Sequence, residues 1–404
     1  MTRRSTSALL ALSLSASIAS AQTATTLKDA AAAVGLNIGI ATNSNQVNNA
    51  TSAYATIVKQ QFNMVVCENE MKFEGTENPI GTYKYTGGDA VYTFAAANGM
   101  KMRGHNFIWR DQAGPAKNAI HDRTTGLTIM RNHIENVGGH FKTKILEWDV
   151  LNEITSGSSL EVNFWRTNIG DDYLDSAFAM SRRAVGNNGY LYYNDFGGDG
   201  VNGKSTSMFN LAKKWQTNKV PVDGIGLQCH LGSGFKKDDI SANIKRFGDL
   251  GLRISLTEID ITNAKASDWT NLLTACLENY NCVSFVTWGL SDANSWIGSN
   301  CGCLLYSGST PAPKTEMIQA LITAMAAADP AISAKRKEFA AKGPGGVTGI
   351  NFPTIQPMRR ASGNLQGTAS VPVFSIGSGA VVDILGRVPV VPSASAKSLD
   401  VLPK

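Results

Sequence analysis

Eight short apolar runs, separated from one another by stretches of helical periodicity, constrain this chain more than any other feature. The runs occupy residues 38–41, 64–67, 102–109, 145–151, 190–193, 225–228, 254–259 and 284–290. Each is four to eight residues long and rich in β-branched or aromatic side chains, the pattern of a strand buried on both faces. Helix-like patterns lie between them at 49–61, 91–97, 126–138, 173–184, 205–217, 237–249 and 269–277, with 316–327 after the last run. In the first of these, Ala50, Ala53, Tyr54, Ile57 and Val58 share one face. Strand alternating with helix eight times over about 300 residues predicts an α/β fold of the (β/α)8 TIM-barrel class. An open doubly wound sheet is the second choice, but no glycine-rich nucleotide fingerprint follows the first run.

The ends of the chain read differently from its middle. Arg3 and Arg4, an apolar stretch over 8–18 and Ala19-Ser20-Ala21 follow the order of a secretory signal peptide, with cleavage after Ala21. That predicts a secreted, extracellular protein, and no later run reaches the length needed to cross a membrane. Residues 22–330 form the expected catalytic barrel. Residues 331–404 read as a Gly-, Ser-, Pro- and Val-rich linker or disordered extension, although 326–341 still looks helical and 371–391 could form a few strands. Beyond residue 343 there is neither Trp nor Tyr, so the aromatic platforms of a sugar-binding module are missing.

Of the +5 net charge, +2 comes from Arg3 and Arg4, and +6 from nine Lys/Arg against three Asp/Glu in 331–404. The stretch between therefore carries −3, and no nucleic-acid surface is indicated. Among the six cysteines, Cys276 and Cys282 are close enough in sequence to be a disulfide candidate. Cys301 and Cys303 are a second close pair, for which metal ligation is the weaker reading. Cys67 and Cys229 are open between buried thiol and pairing. Asn49-Ala50-Thr51 is an N-glycosylation acceptor.

A buried parallel strand ordinarily has no use for a carboxylate, yet 254–260 carries Glu258 and Asp260. Alone, Glu258 would be a salt-bridged core residue, Asp149 or Asp195 a buried hydrogen-bonding group, Trp148 or Trp288 core, and His105 a satisfied structural histidine. Seven of the eight runs, however, end in carboxylates, amides, histidines or indoles: Glu68-Asn69-Glu70-Met71-Lys72, Trp109-Arg110-Asp111-Gln112, Asn152-Glu153, Asn194-Asp195, Gln228-Cys229-His230, Glu258-Ile259-Asp260 and Trp288 with Trp296. In a barrel these ends form one mouth. Such a ring suits a sugar cleft, with polar partners for many hydroxyls and apolar plates for pyranose faces. Glycoside hydrolysis needs two carboxylates across such a mouth.

The motifs 146–153 (Leu-Glu-Trp-Asp-Val-Leu-Asn-Glu) and 256–260 (Leu-Thr-Glu-Ile-Asp) resemble the two catalytic signatures of glycoside hydrolase family 10, the endo-β-1,4-xylanases. Residues 68–72, 103–105, 194–195, 224–230 and 288–292 match in order and spacing, so the resemblance covers roughly 25–328. It implies a retaining mechanism on xylan or xylo-oligosaccharides, with Glu153 as acid/base and Glu258 as nucleophile. It further implies that Asn152 bonds the sugar 2-hydroxyl and that His230 bonds Glu258 while Asp260 orients His230. Glu68, Asn69 and Lys72 would bind the sugar two units from the cleavage point on the non-reducing side, and Gln228, Trp288 and Trp296 would line adjoining subsites. No cofactor or metal is implied, and a monomer is expected.

Two positions depart from the family pattern. Arg110 stands where a His usually follows the Trp of the third strand, and the aromatic usually found a few positions past Gln112 is missing from 113–118. Arg110 could take over the sugar-hydroxyl contacts or pair with an acidic substituent. These departures keep open an alternative, a related retaining β-glycosidase acting on another β-linked plant glycan or glycoside. A metal-dependent barrel hydrolase is disfavoured by only five His, of which His121, His133 and His140 lie away from the strand ends. A non-catalytic carbohydrate-binding barrel would have lost Glu153 or Glu258, and both are present.

Overall fold

In the computed structural model, residues 24–344 are described, together with 374–376 and 380–382. The eight expected runs form eight strands: β1 (Asn37–Thr42), β2 (Met64–Cys67), β3 (Lys101–Ile108), β4 (Glu147–Asn152), β5 (Tyr190–Asp195), β6 (Gly224–Leu227), β7 (Arg253–Thr262) and β8 (Cys282–Thr287). Each pairs in parallel with the next, and β8 pairs with both β7 and β1, which closes the sheet into a (β/α)8 barrel.

The period-2 pleat divides the side chains of each strand between two cores. On one side Ile38, Ile40, Val65 and Cys67 pack outward against the helices. On the other, Ala41, Met64, Val66 and Val286 fill the barrel interior. Next to that apolar layer lies a buried ionic one. Arg103 of β3 pairs with Glu147 at 2.5 Å and with Asp149, both on β4. Glu147 also accepts from Ser255 (3.1 Å) and Ser284 (2.9 Å) across the interior. Charges this deep are tolerated only when paired and hydrogen-bonded.

The helices follow the expected periodicity more closely than the expected starts. The 49–61 pattern is helical only over Ala53–Gln61, so Ala50 lies outside it and is exposed. Arg123–His140, by contrast, starts three residues early behind its Asp122 cap. Lys237–Asp249 agrees at both ends, and Tyr173–Val185 within a residue. Thr86–Ala97 begins five residues before its apolar pattern, because Gly87 and Gly88 are poor helix formers that hide the start. Gly88 earns no strain here; a Cβ at that position would meet Phe141 at 2.9 Å, so its smallness lets the helix lie close to the neighbouring one.

The barrel does not end at residue 330. Helix Pro330–Ala341 is capped by Asp329, which accepts from Ala331 N at 2.7 Å, and its Arg336 is fully buried. That guanidinium donates to the carbonyls of Val34 (3.0 Å), Leu277 (2.8 Å) and Cys282 (2.8 Å). The expected linker boundary at 331 is therefore corrected: 331–341 belongs to the barrel. The stretch reads as helical in the sequence; its docking on the barrel is not visible there, since its anchor is an arginine and not an apolar stripe. Phe374–Ile376 and Ala380–Val382 pair as an antiparallel hairpin within the 371–391 stretch. The expected signal peptide and the remainder of the tail fall outside the described residues.

Cys276 and Cys282 are disulfide-bonded, as are Cys301 and Cys303, so the latter pair offers no thiolates to a metal. Cys67 and Cys229 are buried thiols. Among the described residues no single helix is long and apolar enough to cross a membrane.

Candidate active site

The carboxyl ends of the strands bring the two glutamates into one hydrogen-bonded network. Glu258 lies within β7 and is 5% exposed. Its Oε1 accepts from Asn194 Nδ2 of β5 at 2.7 Å, and its Oε2 faces His230 Nε2 at 3.3 Å. His105 Nδ1 lies 3.9 Å from the same carboxylate and 3.0 Å from Asp149. Gly226 makes room for this arrangement, because a Cβ there would collide with the Asn194 amide. Burial alone would raise the Glu258 pKa, but His105 and His230 outweigh it and hold the carboxyl below its ordinary range.

His230 is held from behind. Its Nδ1 meets Asp260 Oδ2 at 2.8 Å, and the same oxygen accepts from Trp296 Nε1 at 2.8 Å. Burial favours the neutral ring, yet the Asp260 and Glu258 carboxylates win and push its pKa up to about 10. A cationic His230 therefore sits between two anions, and its orientation is fixed by both.

Glu153 follows β4 directly, and its φ of 56° is left-handed, an uncommon state for a residue with a long side chain. Gln112 (45°), Cys229 (58°) and Asn263 (56°) share that state just after β3, β6 and β7. Four of the five non-glycine residues with positive φ among those described thus lie just past strand ends at the mouth. Glu153 Oε1 lies 3.3 Å from Gln228 Nε2 and 3.4 Å from Asn152 Nδ2. Asn152 Oδ1 in turn accepts from Asn194 at 2.9 Å, which links the two carboxylates through one amide chain. Burial raises the Glu153 pKa above its ordinary value; Gln228, Trp109 and Arg110 pull the other way, and Glu258 adds to the rise.

The remaining expected residues form a rim. Lys72 Nζ donates to Asn69 Oδ1 at 3.0 Å and lies 5.2 Å from the centre of the Trp109 ring. Glu68 accepts from Asn43 at 3.1 Å. Trp288 stands edge-on to His105, 5.3 Å between ring centres, and Trp296 is 62% exposed, a free apolar plate at the mouth. Arg110 points at Glu153, Nη2 to Oε2 at 3.0 Å, and thus away from the role of a free sugar contact.

Sequence reasoning underrated His105, which it left as a structural histidine, and passed over Asn194 as a site residue. Asn194 did stand in the strand-end pattern. For His105 the usable signal was its place on β3 within the 103–105 motif; its nearness to Asp149 and Glu258 joins positions 44 and 153 residues away and has no local trace.

Comparison with known proteins agrees with this geometry. The family model for glycosyl hydrolase family 10 matches residues 26–319. Endo-1,4-beta-xylanase B of Neocallimastix patriciarum is 36% identical over 309 residues, which span 72% of this chain and 34% of that protein. The chain thus accounts for about a third of that relative's length. Endo-1,4-beta-xylanase 2 of Claviceps purpurea is 33% identical over 269 residues, 66% of this chain and 82% of that protein. Among solved structures, native xylanase 10B from Thermotoga maritima superposes with a TM-score of 0.70 at 28% identity, covering 74% of this chain and 98% of that one. Xylanase 10B from Thermotoga petrophila, solved in complex with xylobiose, gives 0.69 at 27% identity over 75% and 98%. With the closed barrel, the paired glutamates at its mouth and a family match across most of the chain, this protein belongs to glycosyl hydrolase family 10 and is a glycoside hydrolase.

Proposed function

We propose that the chain is a secreted, retaining endo-β-1,4-xylanase that hydrolyses internal β-1,4-xylosidic bonds of xylan. One observation carries the mechanism: the two glutamates share a network, yet their surroundings push their pKa values apart, Glu258 down and Glu153 up. An ionised Glu258 attacks the anomeric carbon while protonated Glu153 gives its proton to the departing glycosidic oxygen, which leaves a glycosyl ester on Glu258. Glu153, now a carboxylate, takes a proton from water. The water oxygen bonds to the anomeric carbon, the ester bond breaks and both side chains return to their starting states.

His230, oriented by Asp260, favours the anionic form of Glu258. Asn152 is assigned to the sugar 2-hydroxyl, with Asn194 holding both its side chain and Glu258, and Lys72, Glu68 and Asn69 are assigned to the sugar two units away on the non-reducing side. Gln228, Trp288 and Trp296 line the cleft around it, and the enzyme acts as a monomer. Secretion rests on the charged, apolar and small-residue order of 1–21. Xylan is favoured over another β-linked glycan because the relatives carry xylanase names and a neighbour holds xylobiose.

Reducing-sugar release from xylan and from carboxymethyl-cellulose, with Glu258→Ala alongside, tests the assignment. Release from xylan alone, abolished in the variant, is expected; substantial release by the variant would sink the nucleophile. Proton NMR of the first product should show the β-anomer, and an initial α-anomer would overturn retention.

A further inference from the structure

Arg110 stands just past β3 at the mouth of the barrel, and its surroundings give it a use. Nη2 meets Glu153 Oε2 at 3.0 Å, and Nη1 donates to the Glu153 main-chain carbonyl at 2.9 Å. One planar guanidinium therefore grips both the side chain and the left-handed backbone of the same residue, a two-point hold that a lysine or histidine cannot reproduce. Its Nε lies 3.4 Å from Asp111 Oδ2. With two carboxylates already beside it, the cation has little left to offer an acidic substituent on the sugar.

We propose that Arg110 is a positioning residue for proton transfer, clamping the Glu153 carboxylate and main chain and thereby setting the upper pH edge of turnover. This rests on the reading of Glu153 as acid/base. The groups around Glu153 are Arg110 and Asp111 after β3, Lys72 after β2, Glu258 on β7 with His230 behind it, and the neutral amides of Asn152 and Gln228. Arg110 and Lys72 favour the ionised carboxylate, and Glu258 opposes it. Arg110 is the cation in direct contact. It makes Glu153 a stronger acid toward the glycosidic oxygen and balances the charge left once the proton has gone. Burial still keeps Glu153 above an ordinary carboxylate, so the clamp trims the rise and does not reverse it.

The test is the pH profile of kcat/KM on xylan for the wild type, Arg110→Gln, Arg110→Lys and Glu153→Gln, repeated on a 2,4-dinitrophenyl β-xylobioside whose leaving group needs no proton. In Arg110→Gln the alkaline limb should move up by about one pH unit, since a neighbouring cation is lost from a partly exposed site. The acid limb should stay. Turnover of xylan should drop roughly tenfold as the donor loosens, and the dinitrophenyl substrate should lose less. Arg110→Lys should recover part of the limb position but less of the xylan rate. An alkaline limb unmoved in both variants overturns the proposal, as does a raised KM with an unchanged profile, which would make Arg110 a sugar contact. Glu153→Gln separates the two readings: if it retains full xylan turnover, the acid/base assignment itself fails. If it loses turnover while the Arg110 variants keep the wild-type limb, only the clamp fails.

Discussion

The two glutamates at the barrel mouth are the same residue type in one network, yet they are held in opposite ways. Glu258 sits inside a ten-residue strand, with a fixed amide on one oxygen and a cationic histidine on the other. Glu153 sits one residue beyond its strand, in a left-handed turn, with neutral amides at 3.3 and 3.4 Å and a partly exposed arginine at 3.0 Å. On the mechanism proposed above, the first stays charged while the second changes its charge within each cycle. Glu153 is also the more open of the two, its side chain 13% exposed against 7% for Glu258. Backbone context decides this: an interior strand position fixes a side chain on every side, whereas a strand end leaves one side for substrate.

Glu258→Ala removes the rigid partner and should have the largest effect, a loss of kcat on xylan of roughly ten-thousandfold or more. A loss under about tenfold would place the essential carboxylate elsewhere. In kcat/KM, which reports the first step alone, Glu153→Gln should split by leaving group: a loss on the order of a hundred- to a thousandfold on xylan, and far less on a dinitrophenyl xylobioside. Equal losses on both substrates would mean that Glu153 does not act as a proton donor. In the wild type, the depressed Glu258 and raised Glu153 should give a bell whose acid limb lies below the ordinary glutamate pKa and whose alkaline limb lies above it. Limbs both at ordinary values would erase the contrast between the two sites.

This asymmetry was half legible in the sequence. A carboxylate inside an apolar run of β-branched residues announces that something must pair with it, so Glu258 was conspicuous. The strand count was equally plain, because eight runs with interleaved helical periodicity leave few other closures. What pairs with Glu258 was less visible, since His105 reaches it only through the closed barrel. Arg110 shows the limit more sharply. Its position near the cleft followed from its place after β3, but its aim, at Glu153 and not at the sugar, depends on a left-handed turn 43 residues away. Arg336 is a related case. An arginine that satisfies carbonyls from three distant segments reads, in isolation, as a surface charge.

His230 tests whether the rigidity around Glu258 comes from charge. His230→Asn should lower kcat/KM by roughly ten- to a hundredfold, the loss of one charge-assisted contact on a buried carboxylate. Stability gives a separate reading. The folded-state pKa, about 10, lies above the unfolded value of about 6.5. The protonated ring therefore contributes its full share below about pH 6.5, and that share is lost as pH climbs toward 10. The difference in Tm between wild type and variant should be widest near pH 6 and shrink steadily up to pH 10. A difference independent of pH would mean that packing, and not charge, is what the ring supplies.

Trp296 offers the smallest and most selective probe, because it joins the rigid side to the open one. Its indole N–H holds Asp260 at 2.8 Å, and its ring lies exposed to the cleft, 5.0 Å from the centre of His230. Trp296→Phe keeps an aromatic plate and removes only the donor. If the indole matters through Asp260, kcat should fall by a few-fold, on the order of one neutral-to-charged hydrogen bond at a partly exposed site, while KM for xylan holds. If it matters as a plate, Trp296→Ala should raise KM and Trp296→Phe should not. A raised KM in Trp296→Ala with kcat unchanged in the phenylalanine variant would place Trp296 wholly with the sugar, and the orientation of His230 would then rest on Asp260 alone.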